Sequence, residues 1–250
     1  MDILNSRATI KAGDRFTNRY GCEAEVIKYT SALSVTIKFR DSFGYEMISS
    51  AGALNSKSFK NPYHPTVWGV GYIGVGPHKS RVNGKYTISY SKWASMLERC
   101  YAGHKDKYLP YVGCTVSDSW LNFQTFADWL QVQGTLEGMQ IDKDILLQGN
   151  MIYSSETCRI VPTEINKAIT GGKKNRESEI PTGVLAYKGR YIAAITTSGS
   201  PKHLGVFNDP ETAANAYRLA KTAHVKFLAE KYKASIPLEI YEALLQWVVD

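Results

Sequence analysis

Apolar and polar positions change rhythm along the chain. Between residues 13 and 61, the runs Cys22–Tyr29 and Leu33–Asp41 are short, rich in β-branched and aromatic residues and partly alternating, the two-residue period of half-buried strands. Gly13, Gly21 and the turn segment Asp41–Glu46 punctuate them, and strands at this spacing predict a small five-stranded β barrel. The period then lengthens. Trp93, Met96, Leu97, Cys100 and Tyr101 fall at i, i+3, i+4, i+7 and i+8, one apolar stripe of a helix that Ser91 is placed to cap. Phe123, Phe126, Ala127 and Leu130 make a second stripe ended by Gly134, and residues 108–120 between the two helices are turn-rich with one short strand. These aromatics read first as core. Near the end the short period returns, and residues 182–199 and 202–207 predict three strands with turns at Lys188-Gly189 and at 198–201. A long helix follows, with Asp209 as N-cap and Pro210 in its first turn; Ala213, Ala214, Tyr217, Ala220, Phe227 and Leu228 form its predicted buried side. Pro237 sets the start of a last helix.

This punctuation predicts an α+β, multi-domain chain. Residues 1–62 are the N-terminal barrel, 63–90 a Gly/Pro-rich connector, 91–170 a central α/β unit, 171–180 a linker, and 181–250 a three-stranded antiparallel sheet packed on a helix, with a C-terminal helix after it. Gly69, Gly71 and Gly74 in the connector spell G-x-G-x-x-G, but Pro77, Asn83 and Gly84 follow where a dinucleotide site needs a helix N-terminus. The match is read as a loop or glycine-rich strand.

Composition narrows the partners. The 250 residues are 44% hydrophobic, enough for a packed core, and no stretch reaches the ~18 apolar residues of a membrane span. The start lacks the basic and apolar regions of a signal peptide, and Cys22, Cys100, Cys114 and Cys158 lack paired spacing, so free thiols in a reducing cytoplasm are expected. A zinc cluster of Cys100, Cys114, Cys158 and His104 is possible on count alone. The net charge is +7, with Lys+Arg against Asp+Glu standing at 10 to 6 over residues 1–80, 9 to 9 over 81–170 and 11 to 8 over 171–250. Basic ends around a neutral centre suit polyanion-gripping modules at either end.

Two stretches carry resemblances. Gly183-Val184, the basic turn Lys188–Arg190, the strand Tyr191–Ile195, Leu204–Phe207 and the alanine-rich helix Ala213–Ala220 resemble the plant ethylene-response-factor (APETALA-type) DNA-binding domain over some 45 residues. That resemblance implies a three-stranded sheet that enters the major groove of double-stranded DNA, which admits a β ribbon. Here Leu185, Thr196 and His203 replace the arginines and tryptophan of the pattern, leaving Tyr187, Lys188, Arg190, Tyr191, Lys202 and His203 as candidate DNA contacts. The alternative is a sheet repurposed for protein contact. Upstream, Trp93, Met96, Leu97, Arg99–Tyr101, Tyr111, Trp120, Phe123, Phe126, Asp142, Gly149-Asn150, Tyr153, Glu156, Cys158 and Asn166 resemble the HNH homing endonucleases of bacteriophages, some of which carry a domain of the plant type. The N-terminal strands resemble Tudor-like barrels, a fold whose members bind peptides, nucleic acid or nothing.

The HNH resemblance implies a divalent ion, usually magnesium, that polarises a phosphodiester, and a histidine general base oriented by an asparagine. On this chain it implies Asp142 as metal ligand, Asn150 as the orienting amide and Lys143 at the base position, with Asp144 alongside. An ammonium holds its proton at neutral pH and is a poor base, though it can neutralise charge in the transition state. Thr157 stands where the family has a metal-binding asparagine, and residues 141–166 hold no histidine; His104 or His78 would have to fold over the site. Three functions follow as expectations: a phage-type DNA-binding protein on a homing-endonuclease scaffold, an active magnesium-dependent endonuclease using Asp142, Lys143, Asp144 and Asn150, or a protein that binds a host factor.

Overall fold

The structure, a computed structural model, describes residues 9–103, 111–134, 136–170, 180–197 and 199–249. It is a mixed α+β molecule whose contacts fall into two compact units, Met1–Ala102 with Leu121–Ala127, and Gly103–Trp120 with Asp128–Asp250.

In the first unit, β1 (Arg15–Thr17), β2 (Glu23–Ser31), β3 (Ser34–Phe39) and β4 (Glu46–Ser49) pair in sequence order as an antiparallel meander. Among the described residues no pairing joins β4 back to β1. The inward positions of the alternation, Ala24, Val26, Val35, Ile37 and Phe39, are all buried and meet Leu54 of the short helix α1 (Ala51–Asn55) and Phe59. The glycine-rich connector is packed rather than loose. A Cβ on Gly71 would lie 2.4 Å from Leu97 and 2.8 Å from Trp93, and one on Gly74 would lie 2.2 Å from Asn122, so these positions admit only glycine's bare backbone. The buried Gln124 side chain holds the same segment, donating to the carbonyls of Ile73 and His78 and accepting from the His78 N–H. A hairpin, β5 (Arg81–Val82) and β6 (Lys85–Tyr86), then leads into α2 (Ile88–Tyr101). This helix starts four residues before the point expected for a Ser91 cap. Thr87 is the cap, its Oγ1 accepting the Tyr90 N–H at 3.2 Å, and the extra turn brings Ile88 and Tyr90 into the helix.

The second unit holds β7 (Thr115–Val116) and the end of α3 (Phe123–Gln131), followed by β8 (Met139–Asp142), β9 (Ile152–Tyr153), β10 (Arg159–Pro162) and α4 (Thr163–Ile169). It continues with the sheet β11 (Val184–Tyr187), β12 (Arg190–Thr197) and β13 (Ser200–Phe207), then α5 (Pro210–Tyr232) and α6 (Leu238–Leu245). Strand β8 pairs antiparallel with β10, and β7 pairs parallel with β9. The 171–180 linker lies outside the described residues except for Ile180.

Helix α5 serves two layers. Its first half covers the three-stranded sheet with Ala213, Ala214 and Tyr217. Its second half sends Val225, Leu228 and Ala229 into a core with Val161, Ile165, Ala168 and Ile169 on one side and Ile236, Ile240 and Leu244 on the other. Phe227, expected on the buried side, is 61% exposed. At 100° per residue it stands about 80° away from the line through Tyr217 and Leu228, too far round to share their face. Polar contacts brace the same junction: Arg159 grips Glu239 through Nε and Nη2, and Lys231 and Tyr232 both donate to Glu164.

Candidate functional site

Asp142 ends β8, and the chain turns through residues 143–151 to reach β9. Side chains build that turn. Asp142 Oδ1 accepts the N–H groups of Asp144 at 2.8 Å and Ile145 at 2.7 Å, an Asx turn that fixes the first bend. Lys143 points inward, donating from Nζ to both carboxylate oxygens of Asp144, at 2.8 and 2.9 Å, and to the carbonyl of Asn150. Asn150 completes the circuit: its Nδ2 donates to the carbonyls of Lys143 at 2.8 Å and Ile152 at 2.7 Å, and its Oδ1 accepts the Ile152 N–H at 3.2 Å. The structure therefore brings all four sequence-predicted catalytic residues together, with Asp142, Lys143 and Asn150 buried and Lys143 only 6% exposed. Ile145, at the next position along, plugs into the core beside Val161 and Leu228, so the bend also anchors the loop.

The chemistry available to this circuit is limited by its own bonds. Lys143 spends its Nζ donors on the Asp144 carboxylate and the Asn150 carbonyl. Asn150 uses both ends of its amide on main chain, and among the described residues no histidine bonds to any of the four. His104 lies outside the described residues, and His78 belongs to the first unit. Thr157, where the HNH resemblance expects a metal-binding asparagine, donates to the Ile152 carbonyl at 2.7 Å.

Burial pushes the Asp142 carboxyl above its ordinary range, against the pull of its two N–H donors. Burial likewise raises Cys114 and drives the Cys158 thiol up to about 12, so neither is a ready nucleophile or metal ligand. Exposed Glu156 goes the other way, to about 2, because the hydroxyls of Ser154 and Ser155 stabilise its charge.

Magnesium prefers hard oxygen ligands in an octahedral array, with one or two carboxylates among them. Only Asp142 Oδ2 answers that description. Among the described residues it accepts no hydrogen bond. Asp144 already shares both oxygens with an ammonium whose charge Asp142 also feels. No group of three His, Cys, Asp or Glu converges among the described residues. The donor set does not fit a magnesium site of the HNH kind.

The second candidate region is the open face of the C-terminal sheet. Lys188 and Gly189, at φ 48° and 74°, make the two-residue turn between β11 and β12, both central residues being left-handed as such hairpins require. Register and strand alternation then sort the side chains. Val184, Ala193 and Gly205 share the face covered by α5, as do Ala186, Tyr191 and Phe207. Gly183 beside them is fixed by packing, since a Cβ there would lie 2.1 Å from the Tyr217 ring. The opposite, open face carries Tyr187 beside Arg190, His203 beside Ala194, and a row of Leu185, Ile192 and Val206 across the three strands.

Of the six expected DNA contacts, Tyr187, Lys188, Arg190 and His203 thus lie on the open face or its turn. Tyr191 falls in the covered set, and Lys202, exposed at the edge strand, pairs with covered Ile195. Leu185 and Val206 are 64% and 49% exposed. In the sequence pattern Leu185 stands only as a missing arginine; the alternation of β11 and β12 makes it the head of an apolar row.

No helix among the described residues is long and apolar enough to cross a membrane. Compared with known proteins, the chain matches no family model, no curated protein and no solved structure.

Proposed function

We propose that this chain is a double-stranded-DNA-binding protein of phage type that reads DNA with the open face of β11–β13, on a homing-endonuclease-like scaffold whose central loop has become structural. The observation that carries the reading is the contrast in availability. Lys188 and Arg190 project at the turn of an uncovered three-stranded antiparallel ribbon, a shape that a major groove admits, while Lys143 is committed inside its loop. Lys188 and Arg190 suit phosphates, and Leu185, Ile192 and Val206 suit the thymine methyls that line the groove floor, so the face favours A·T-containing sites over arginine-read guanines. The Tudor-like barrel over residues 1–62 belongs to this reading as an accessory module. The alternative, a magnesium-dependent nicking enzyme built on Asp142, Lys143, Asp144 and Asn150, lacks a base and an open ligand set.

The test is duplex binding across a salt series together with incubation of supercoiled DNA with magnesium. Binding without nicking is expected, and Lys188→Ala with Arg190→Ala weakens it about tenfold and lowers the salt slope by about 2, one phosphate per cation removed. Unchanged affinity and slope would reject the face. Metal-dependent nicking abolished by Asp142→Ala would restore the enzyme. The apolar row favours a second reading, docking of a host protein on the same face; Leu185→Ser with Val206→Ser abolishing capture of a protein partner, with no salt-dependent DNA affinity, would select it.

A further inference from the structure

A second candidate site lies in the first unit. The chain makes a tight turn at Val67–Val70, closed by the Val70 N–H on the Val67 carbonyl at 3.2 Å and by a two-way bridge between Val67 and Gly71. Its central residues, Trp68 and Gly69, have φ of 52° and 76°. Such a turn asks for Asn, Asp or Gly at its first central position; the tryptophan there costs backbone strain and leaves its indole 42% exposed. Strain tolerated at an exposed aromatic points to a role for the indole.

Trp68 borders a groove of about 520 Å³ whose other side is α2, through Tyr90, Ser91, Ser95 and Glu98. The hairpin β5–β6 brings Tyr86 to its rim. Arg81 lies 3.9 Å over the Tyr86 ring, which stacks on Tyr90 at 4.8 Å, and its Nη1 donates to the Gly84 carbonyl at 3.3 Å, so the guanidinium is held on the hairpin. Asn83 and Gly84, at φ 50° and 76°, turn the hairpin, and Thr87 ties its base to the Lys79 carbonyl before capping α2. Residues 62–97 contain Lys79, Arg81, Lys85 and Lys92 and no Asp or Glu. An acid-free, basic hairpin beside an open aromatic wall is complementary to a polyanion with flat faces. The hairpin offers its cations to phosphates, and the aromatic wall offers a base its stacking surface.

We infer that this groove and hairpin bind single-stranded nucleic acid, an unpaired base stacking on Trp68 and the flanking phosphates meeting Lys79, Arg81 and Lys85. The site is independent of the sheet β11–β13 and does not rest on the duplex-binding proposal. Its test is fluorescence anisotropy of the full chain with labelled oligothymidine and oligouridine, which separates DNA from RNA as the natural ligand. Trp68→Asn suits the turn better than the native residue, so it should keep or raise the melting temperature while weakening binding on the order of tenfold. Arg81→Ala with Lys85→Ala should weaken it comparably and lower the salt slope. Should Trp68→Asn fail to fold, Trp68→Phe and Trp68→Leu serve instead: the phenyl ring retains most of the affinity and the leucine loses it. Absence of single-strand binding, equal affinity of the phenylalanine and leucine variants, or native affinity in the hairpin variant overturns the inference. So does quenching of tryptophan fluorescence by a proline-rich peptide but by neither oligonucleotide. Lys188→Ala with Arg190→Ala, measured alongside on duplex DNA, reports on the sheet alone, so either proposal can fail without the other.

Discussion

The loop Asp142–Asn150 and the open face of β11–β13 both gather charged side chains in the second unit, and they use them in opposite ways. In the loop, an aspartate, a lysine, a second aspartate and an asparagine satisfy one another and the main chain. On the sheet, Lys188, Arg190 and Tyr187 end a ribbon whose outer face has nothing packed on it among the described residues. Residue types alone therefore say little about function; what matters is whether a polar group is already answered from within. A buried ammonium must be paired, and the donors of Lys143 are all directed at groups of its own loop.

The contrast breaks most sharply at Lys143. Lys143→Ala leaves the Asn150 carbonyl and the Asp144 carboxylate without their donor; we expect a loss of about 3 kcal/mol, toward the low end for a broken buried pair because Asp144 is about a third exposed. Urea denaturation reads this directly, and a loss under 1 kcal/mol would show that the circuit is not structural. Next comes Gly183→Ala, which strains a φ of 80° and drives a methyl into Tyr217; about 1 to 3 kcal/mol should be lost, with duplex affinity falling as the sheet lifts from α5. Native stability in that variant would mean that the sheet is not seated on the helix there.

The sheet variant Lys188→Ala with Arg190→Ala is the converse case. Its stability should stay within about 0.5 kcal/mol of the parent, because these side chains hold nothing together, while duplex affinity drops. A large shift in melting temperature would remove the distinction between the two regions.

The smallest effect sharpens the comparison. Asn at position 142 keeps the Oδ1 acceptor of the Asx turn and removes a charge that burial disfavours. The Asp142 carboxyl has a folded pKa above its unfolded value. Its contribution is therefore fully present below the unfolded value near 4 and is lost as pH rises through the raised one. Asp142→Asn should thus match or exceed the parent's melting temperature at neutral pH and flatten its dependence across that window. A clear destabilisation at pH 7 would mean that the Asp142 charge is needed, as a metal ligand's would be.

The alternating runs that became β2 and β3, the stripe Trp93–Met96–Leu97 and the Asp209-Pro210 start of α5 follow from the sequence because each is a local matter of period and capping. So did the closeness of Asp142, Lys143, Asp144 and Asn150, which nine consecutive residues hold. Their purpose did not follow, because it depends on Lys143 turning inward and on Ile145 joining a core built with Val161 and Leu228, which stand 16 and 83 residues further along the chain. Trp68 shows the same division. The glycines around it announce a turn, but only the fold shows that the turn holds an exposed indole at a left-handed position beside α2. Period, caps and turn residues are local and so are written in the sequence; which polar groups are answered, and which stay open to a partner, is settled by distant segments packing together, and only the tertiary structure decided it.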